Sequence, residues 1–177
     1  MTSTTDRRPL LLCLTALVVF LDRLTKAWVV RHIPEDTTIP VWDHIFRLSH
    51  VRNPGAAFSL FTDSAHPGLT HKLLAWFSIL AGVIVLAVLL RIGRRATPTA
   101  IALALILGGT IGNLWDRLLY GMVTDFLEVH IVHYHWPDFN VADSCIVIGG
   151  ILLVLDAMRP QHPSPRQEQD SPTSVSR

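Results

Sequence analysis

Four long apolar runs, Pro9–Val30, Leu73–Leu90, Ala100–Tyr120 and Val141–Met158, limit what this chain can fold into. Each approaches the roughly 20 residues that an α-helix needs to cross the hydrocarbon core of a bilayer. A water-soluble domain has no use for four such runs. With half of all residues hydrophobic and only 16% charged, the expected solvent is a membrane. The fold expected is a mainly α membrane protein, a four-transmembrane-helix bundle, forming a single domain over residues 1–158 with an outer segment over 31–72. The first run follows Arg7 and Arg8, as the apolar part of a signal peptide would. No small-x-small cleavage site comes after it and three further runs do, so it is read as a retained helix.

Four spans put the N-terminus, the loop between the second and third runs, and the C-terminal tail on one side. That loop holds Arg91, Arg94 and Arg95, and Arg7, Arg8 and Arg159 flank the other membrane ends on the same side. The positive-inside rule makes this side cytoplasmic, so both termini are expected in the cytoplasm. Residues 159–177 are rich in Pro, Ser and Gln without apolar periodicity, which reads as a disordered cytoplasmic tail. On the outer side, "TIPVWDHIFRLSHVRNPGAAFSLF" has short alternating apolar stretches and an Asn-Pro-Gly turn signal, which suggests a small β-sheet cradle. Gly121–Asn140 reads as an outer loop. Cys13 and Cys145 fall within separate spans and read as small apolar residues, not as a disulfide.

Polar groups crowd the outer ends of the apolar runs. Asp22 and Lys26 stand four apart, acid first, on one face of the first helix. Gly109, Asn113 and Arg117 share a face of the third helix with Asp116 beside them, and Gly108 and Gly112 form a GxxxG pair that lets a neighbouring helix approach. Charged groups at such depth cost about 3 kcal/mol each unless paired or hydrated, so the face that carries them must look into the bundle. A network that only ties helices together is one reading of them; a functional site is the other. Asp125 follows the third run and Asp143 opens the fourth, so both belong to the outer interface. Two carboxylates that share a proton can divide the labour of peptide hydrolysis, one taking a proton from water and the other hydrogen-bonding the scissile carbonyl. The bland alternative for Asp143 is a helix cap, because "NVAD" from Asn140 places an acid in the first turn, where the dipole favours negative charge.

Together, "DRLTK" (Asp22–Lys26), "NPGAAFS" (Asn53–Ser59), "GGTIGNLWDR" (Gly108–Arg117), "VTDF" (Val123–Phe126) and "FNVADS" (Phe139–Ser144) resemble the successive motif blocks of lipoprotein signal peptidase, also called signal peptidase II. They occur in that family's order, and the similarity spans about Leu10 to Met158. The resemblance implies an aspartic endopeptidase of the bacterial plasma membrane that removes signal peptides from diacylglyceryl-modified prolipoproteins, cutting N-terminal to the lipidated cysteine. It implies a catalytic dyad of Asp125 and Asp143, with Asn53, Gly55, Asn113, Arg117 and Asn140 binding substrate or supporting the dyad. Asp22, Lys26 and Asp116 would brace the helix ends. Gly55, Ala56 and Ala57 would leave room for an extended peptide, and a short periplasmic helix would lie in the outer segment. Pro54 departs from the family's usual residue at its position. The active site would lie at the outer face of the inner membrane. The partners implied are lipid-modified prolipoproteins and membrane lipids; a monomer is expected, with no nucleic-acid partner, no cofactor and no metal.

The stretch "HIVHYHWPDF" supports a rival reading. His130, His133 and His135 with Asp125 would offer imidazole and carboxylate donors to zinc, making a metal-dependent protease or transport module. The spacing matches no H-E-x-x-H pattern. A proton-coupled carrier built on Asp22, Asp116 and Arg117 is a further alternative, although such relays place polar groups at the bilayer midplane and here they crowd one interface.

Overall fold

The computed structural model describes residues 6–55, 67–131 and 134–159. Four long helices and four strands alternate in the order α1 (Arg8–His32), β1 (Thr38–Trp42), β2 (Phe46–Asn53), α2 (Pro67–Ile92), α3 (Pro98–Tyr120), β3 (Val123–Ile131), β4 (Tyr134–Phe139) and α4 (Val141–Ala157). Each helix covers one of the apolar runs and extends or stops within a few residues of it. Two of them, α2 and α3, are long and apolar enough to cross a membrane. The others differ for local reasons: α1 carries Asp22, Arg23 and Lys26, and α4 has 17 residues.

The third helix is the axle of the bundle and packs against α1, α2 and α4. Its small residues make this possible. A Cβ added at Gly108 would lie 2.7 Å from Val18 Cβ of α1, and one at Gly109 would lie 2.3 Å from the Ala142 carbonyl oxygen of α4. Neither neighbour could withdraw without moving a helix, so the glycines set the interhelical distance. Around them Leu11, Leu89, Ala100, Leu103, Ala104 and Leu107 form the apolar core. The Thr15 hydroxyl adds a bond across the α1–α3 contact by donating to the Ala104 carbonyl, 3.0 Å. The second helix is apolar all round, with Trp76, Phe77, Leu80 and Val83 exposed, as expected of a surface solvated by lipid.

The four strands form one antiparallel sheet in the order β1-β2-β3-β4. Its first two strands lie where the alternating outer stretch was read. The other two correct the expectation of a loop over Gly121–Asn140, which is a strand pair. Because β2 pairs with β3, with Val51 opposite Asp125 and Arg52 opposite Thr124, the segments between α1 and α2 and between α3 and α4 become one platform. Gly121 makes the turn into it: it caps α3 in the left-handed conformation, φ 72°, and its N–H returns to the Arg117 carbonyl at 3.1 Å. Phe126 of β3 packs with Val29 and Ile33 at the end of α1, fastening sheet to bundle. Ala56, Ala57, His133, the tail beyond Arg159 and residues 56–66, where a short outer helix is expected, lie outside the described residues.

Candidate active site

The polar cluster begins with α1. Lys26 is 1% exposed, and its ammonium makes ion pairs with Asp22, 2.9 Å away on the same helix, and with Asp116 of α3, 3.0 Å away. It also donates to the side-chain carbonyl of Asn113, 3.1 Å. Arg23 makes a second ion pair with Asp116. Each carboxylate has further work at a chain junction: Asp22 accepts from the Ala142 N–H at the start of α4, 3.1 Å, and Asp116 from the Thr124 N–H of β3, 3.3 Å. The acid-first pair read from sequence is therefore the hub of a three-helix network. Arg23 was missed there because neighbouring helical positions face about 100° apart, and its reach to Asp116 is not visible in i,i+4 spacing.

Asn113 and Asn140 carry the network to Asp125 and Asp143. The Asn113 amide donates to Asp143 Oδ1, 2.7 Å, while its oxygen also accepts from the Asn140 amide, 3.1 Å. Asn140 donates in turn to Asp125 Oδ1, 2.7 Å. The other oxygen of Asp125 accepts from the Asn53 amide of β2, 2.9 Å. Asn53 holds its own turn by accepting from the Gly55 N–H at 2.9 Å, an Asx-type contact that explains the Asn-Pro-Gly signal. At the start of α4, Asn140 and Asp143 make a reciprocal capping box: the Asp143 N–H donates to Asn140 Oδ1, 3.0 Å, and the Asn140 N–H to Asp143 Oδ2, 3.2 Å. Asp143 is thus a helix cap and also a member of the network that reaches Asp125. One oxygen caps the helix and the other meets Asn113.

Asp125, Asp143, Asn53, Asn113 and Arg117 all line one cavity of about 480 Å³. Apart from Asp138 and Ser144, its remaining wall is apolar and comes mainly from Trp136 and Phe139 of β4 and from Ile146, Val147 and Ile148 of α4. Sequence reasoning did not single out this wall, because its residues are ordinary in type and only the pairing of β4 with β3 brings them to the carboxylates. Among the described residues, the Arg117 guanidinium has no hydrogen-bond or ion-pair partner, although it faces both carboxylates across the cavity. Asp125 is 3% exposed. Burial pushes its carboxyl up from the ordinary 3.8 to about 7, and the nearby Asp143 charge adds to the rise. Hydrogen bonds from Asn53 and Asn140, and the charge of Lys26, pull the other way. Asp125 is therefore the carboxyl of the pair that can keep a proton near neutral pH.

Among the described residues, which leave out His133, the metal set read around Asp125 does not assemble. Asp125 belongs to Asn53 and Asn140, whereas His130 and His135 gather around Glu128, further along β3. Cys13 and Cys145 are both free thiols.

A family profile described as Signal peptidase (SPase) II matches residues 14–159. The lipoprotein signal peptidase of Syntrophus aciditrophicus is 39% identical over 158 residues, covering 88% of this chain and 97% of that protein. The one from Solibacter usitatus is 41% identical over 149 residues, covering 82% and 88%. Among solved structures, a bacterial membrane enzyme determined in meso at 1.9 Å superposes with a TM-score of 0.74 at 24% identity, covering 86% of this chain and 95% of that one. Another, determined at 2.3 Å, gives 0.69 at 25% identity, with 88% and 95% covered.

Proposed function

The chain belongs to the signal peptidase II family, peptidases that remove signal peptides from prolipoproteins, and on that premise we propose that it is an aspartic endopeptidase whose dyad is Asp125 and Asp143. The observation that carries the reading is their joint suspension: Asn140 bonds to both carboxylates, and both line one cavity that is polar on one side and apolar on the other. Asp143 is the ionised member, because it sits in the first turn of α4, where backbone N–H groups and the helix dipole favour negative charge. It takes a proton from the attacking water. Asp125 keeps its proton and donates it in a hydrogen bond to the scissile carbonyl oxygen, polarising it as the oxygen gains charge. Attack gives a tetrahedral intermediate, and its collapse returns the proton held by Asp143 to the leaving amine. Arg117 can donate to a backbone carbonyl of the substrate, and Asn53 keeps Asp125 in register.

In this reading all four helices cross the membrane as one domain over residues 1–158, both termini are cytoplasmic, and the sheet lies on the outer face over the cavity. The arginines of the α2–α3 loop support that orientation. The substrate is a prolipoprotein carrying diacylglyceryl-cysteine, cut on the N-terminal side of that cysteine. Its acyl chains stay in lipid and set the depth of the scissile bond, while the apolar wall of Trp136, Phe139 and Ile146–Ile148 receives the residues beside it. Most of the gain from burying acyl methylenes is already realised in the bilayer, so the lipid positions the peptide more than it tightens binding.

The test compares a precursor peptide bearing diacylglyceryl-cysteine with the same peptide bearing a free thiol, using purified full-length enzyme and product masses. The lipidated peptide should be cut before the cysteine and the thiol peptide should not. Asp125→Asn and Asp143→Asn should each remove cleavage while the protein stays folded, and His32→Ala should retain it. Equal rates on the two peptides would end the lipid-recognition part of the proposal, and an active Asp143→Asn enzyme would end the aspartic mechanism.

A further inference from the structure

We propose that Glu128, His130 and His135 form a binding site for a divalent late transition metal, typified by zinc, that clips β3 to β4. The three side chains share one face of the sheet for reasons of register. Glu128 and His130 are two apart on β3, and His130 is paired directly with His135 of β4. Their ligand atoms all lie within 4.8 Å of one another. His130 Nε2 is 2.6 Å and His135 Nε2 3.3 Å from Glu128 Oε1, and the two imidazole rings are 4.9 Å apart. In a tetrahedral zinc site, bonds of about 2.0–2.2 Å put ligand atoms roughly 3.3 Å apart. Small side-chain rotations bring the observed set to that spacing without moving either strand.

A separate observation points to a cation. Glu128 is 6% exposed, yet its second oxygen, Oε2, is buried with no hydrogen-bond partner. An unsatisfied buried carboxylate oxygen is costly, and two imidazole donors crowding the other oxygen do not relieve it. A metal bound by this oxygen and the two Nε2 atoms would. Two imidazoles and one carboxylate suit zinc and its neighbours better than calcium or magnesium, which prefer oxygen alone. His135 is half exposed, so solvent can supply a fourth ligand. One charge competes: the Arg47 guanidinium, paired across β2–β3, reaches to 3.6 Å of Glu128 Oε1. None of its three residues lines the larger cavity, although His135 borders a second, smaller pocket that Asp125 and Asn53 also line.

The test is titration of the untagged full-length protein in detergent with zinc by calorimetry, and with cobalt by visible absorption. One metal should bind per chain, and cobalt should show the intense bands of a four-coordinate site. His130→Ala, His135→Ala and Glu128→Gln should each weaken zinc binding at least tenfold, the scale on which even outer partners of metal sites act. His32→Ala should leave it unchanged, and Arg47→Gln should tighten it by removing the competing cation. The partly exposed histidines can be replaced without emptying a core, so their variants keep the proposal testable if Glu128→Gln fails to fold. Zinc should also slow amide exchange in the β3–β4 pair of the parent protein and not in His135→Ala. Binding that is absent, or indifferent to the two histidine changes, would leave Glu128 as a carboxylate shared by two histidines and Arg47 and overturn the metal site.

Discussion

Raising the pH should strip stability from this protein through Asp125, and the size of the loss can be worked out. Its carboxyl lies at about 7 in the folded chain against an ordinary 3.8, chiefly because it is buried and secondly because Asp143 is near. The folded state therefore holds the proton more tightly than the unfolded state. The stabilisation is full below the unfolded value, near pH 4, and is lost as pH rises through the folded value, near 7. At 1.36 kcal/mol per unit of pKa the whole interval is worth about 4 kcal/mol. Roughly 3 kcal/mol of that disappears between pH 5 and pH 8.5 by the same linkage. At about 2–4 °C per kcal/mol for a chain of this size, the melting temperature should fall by roughly 6–12 °C over that interval on account of this one group. The assay is thermal unfolding in one detergent at a fixed scan rate, from pH 5 to pH 8.5, for the parent protein and Asp125→Asn. The variant cannot ionise at that position, so its curve should be flatter by most of that amount. Asp143→Asn removes the neighbouring charge and should shrink the effect without abolishing it, because burial is the larger cause. Parallel curves for the parent and Asp125→Asn would refute the raised carboxyl and, with it, the assignment of Asp125 as the protonated partner.

Three other predictions follow from the packing. Gly109→Ala puts a methyl 2.3 Å from the Ala142 carbonyl oxygen; it should cost about 1–3 kcal/mol of stability and, by pushing α4 away, lower activity more than binding of a substrate-like peptide. Lys26→Met leaves Asp22 without its ion-pair partner and Asp116 with Arg23 alone, a loss of about 3–5 kcal/mol; Lys26→Met with Asp22→Asn should recover part of it, and no recovery in thermal unfolding would show that the charges are not the cause. Reporter fusions after Leu90 and after Met158 should report cytoplasm and one after Tyr120 the outside; the opposite pattern would overturn the orientation.

Helices were legible in the sequence because hydrophobic runs of the right length have few other uses. The start of α4 was legible to the residue, since Asn140 and Asp143 form the capping pair that the sequence pattern pointed to. The strand β3 was not. Its first four residues, Val123 to Phe126, are all buried and show no alternation, because this end of the strand is covered by the bundle on one side and faces the cavity on the other. Period-2 patterning requires one wet face, and a strand without one reads as a loop or a helix end. The same blind spot hid Glu128. Its distance in sequence from His135 means nothing until register pairs His130 with His135, so sequence reasoning gathered the histidines around Asp125, the acid already under suspicion. The apolar wall of the cavity was hidden for the same reason.

Why charged groups collect at one end of an apolar bundle follows from who holds whom. A buried lysine with two carboxylates is a poor way to gain stability, since desolvation consumes most of the attraction and a packed apolar set would do as well. Its value is direction. Lys26 fixes the oxygen of Asn113, which leaves the Asn113 amide pointing at Asp143; the same oxygen accepts from Asn140, whose amide also reaches Asp125. Asp22 and Asp116, held by the same lysine, accept from the Ala142 and Thr124 N–H groups near the starts of α4 and β3, the two elements that carry Asp143 and Asp125. One cation in α1 thus orients both carboxylates and anchors both of their supports. A network that only tied helices together would have no need to end on amides aimed into a cavity. The glycines at 108, 109 and 112 complete the arrangement, because hydrogen bonds of about 3 Å between three helices require backbones closer than side chains of ordinary size allow.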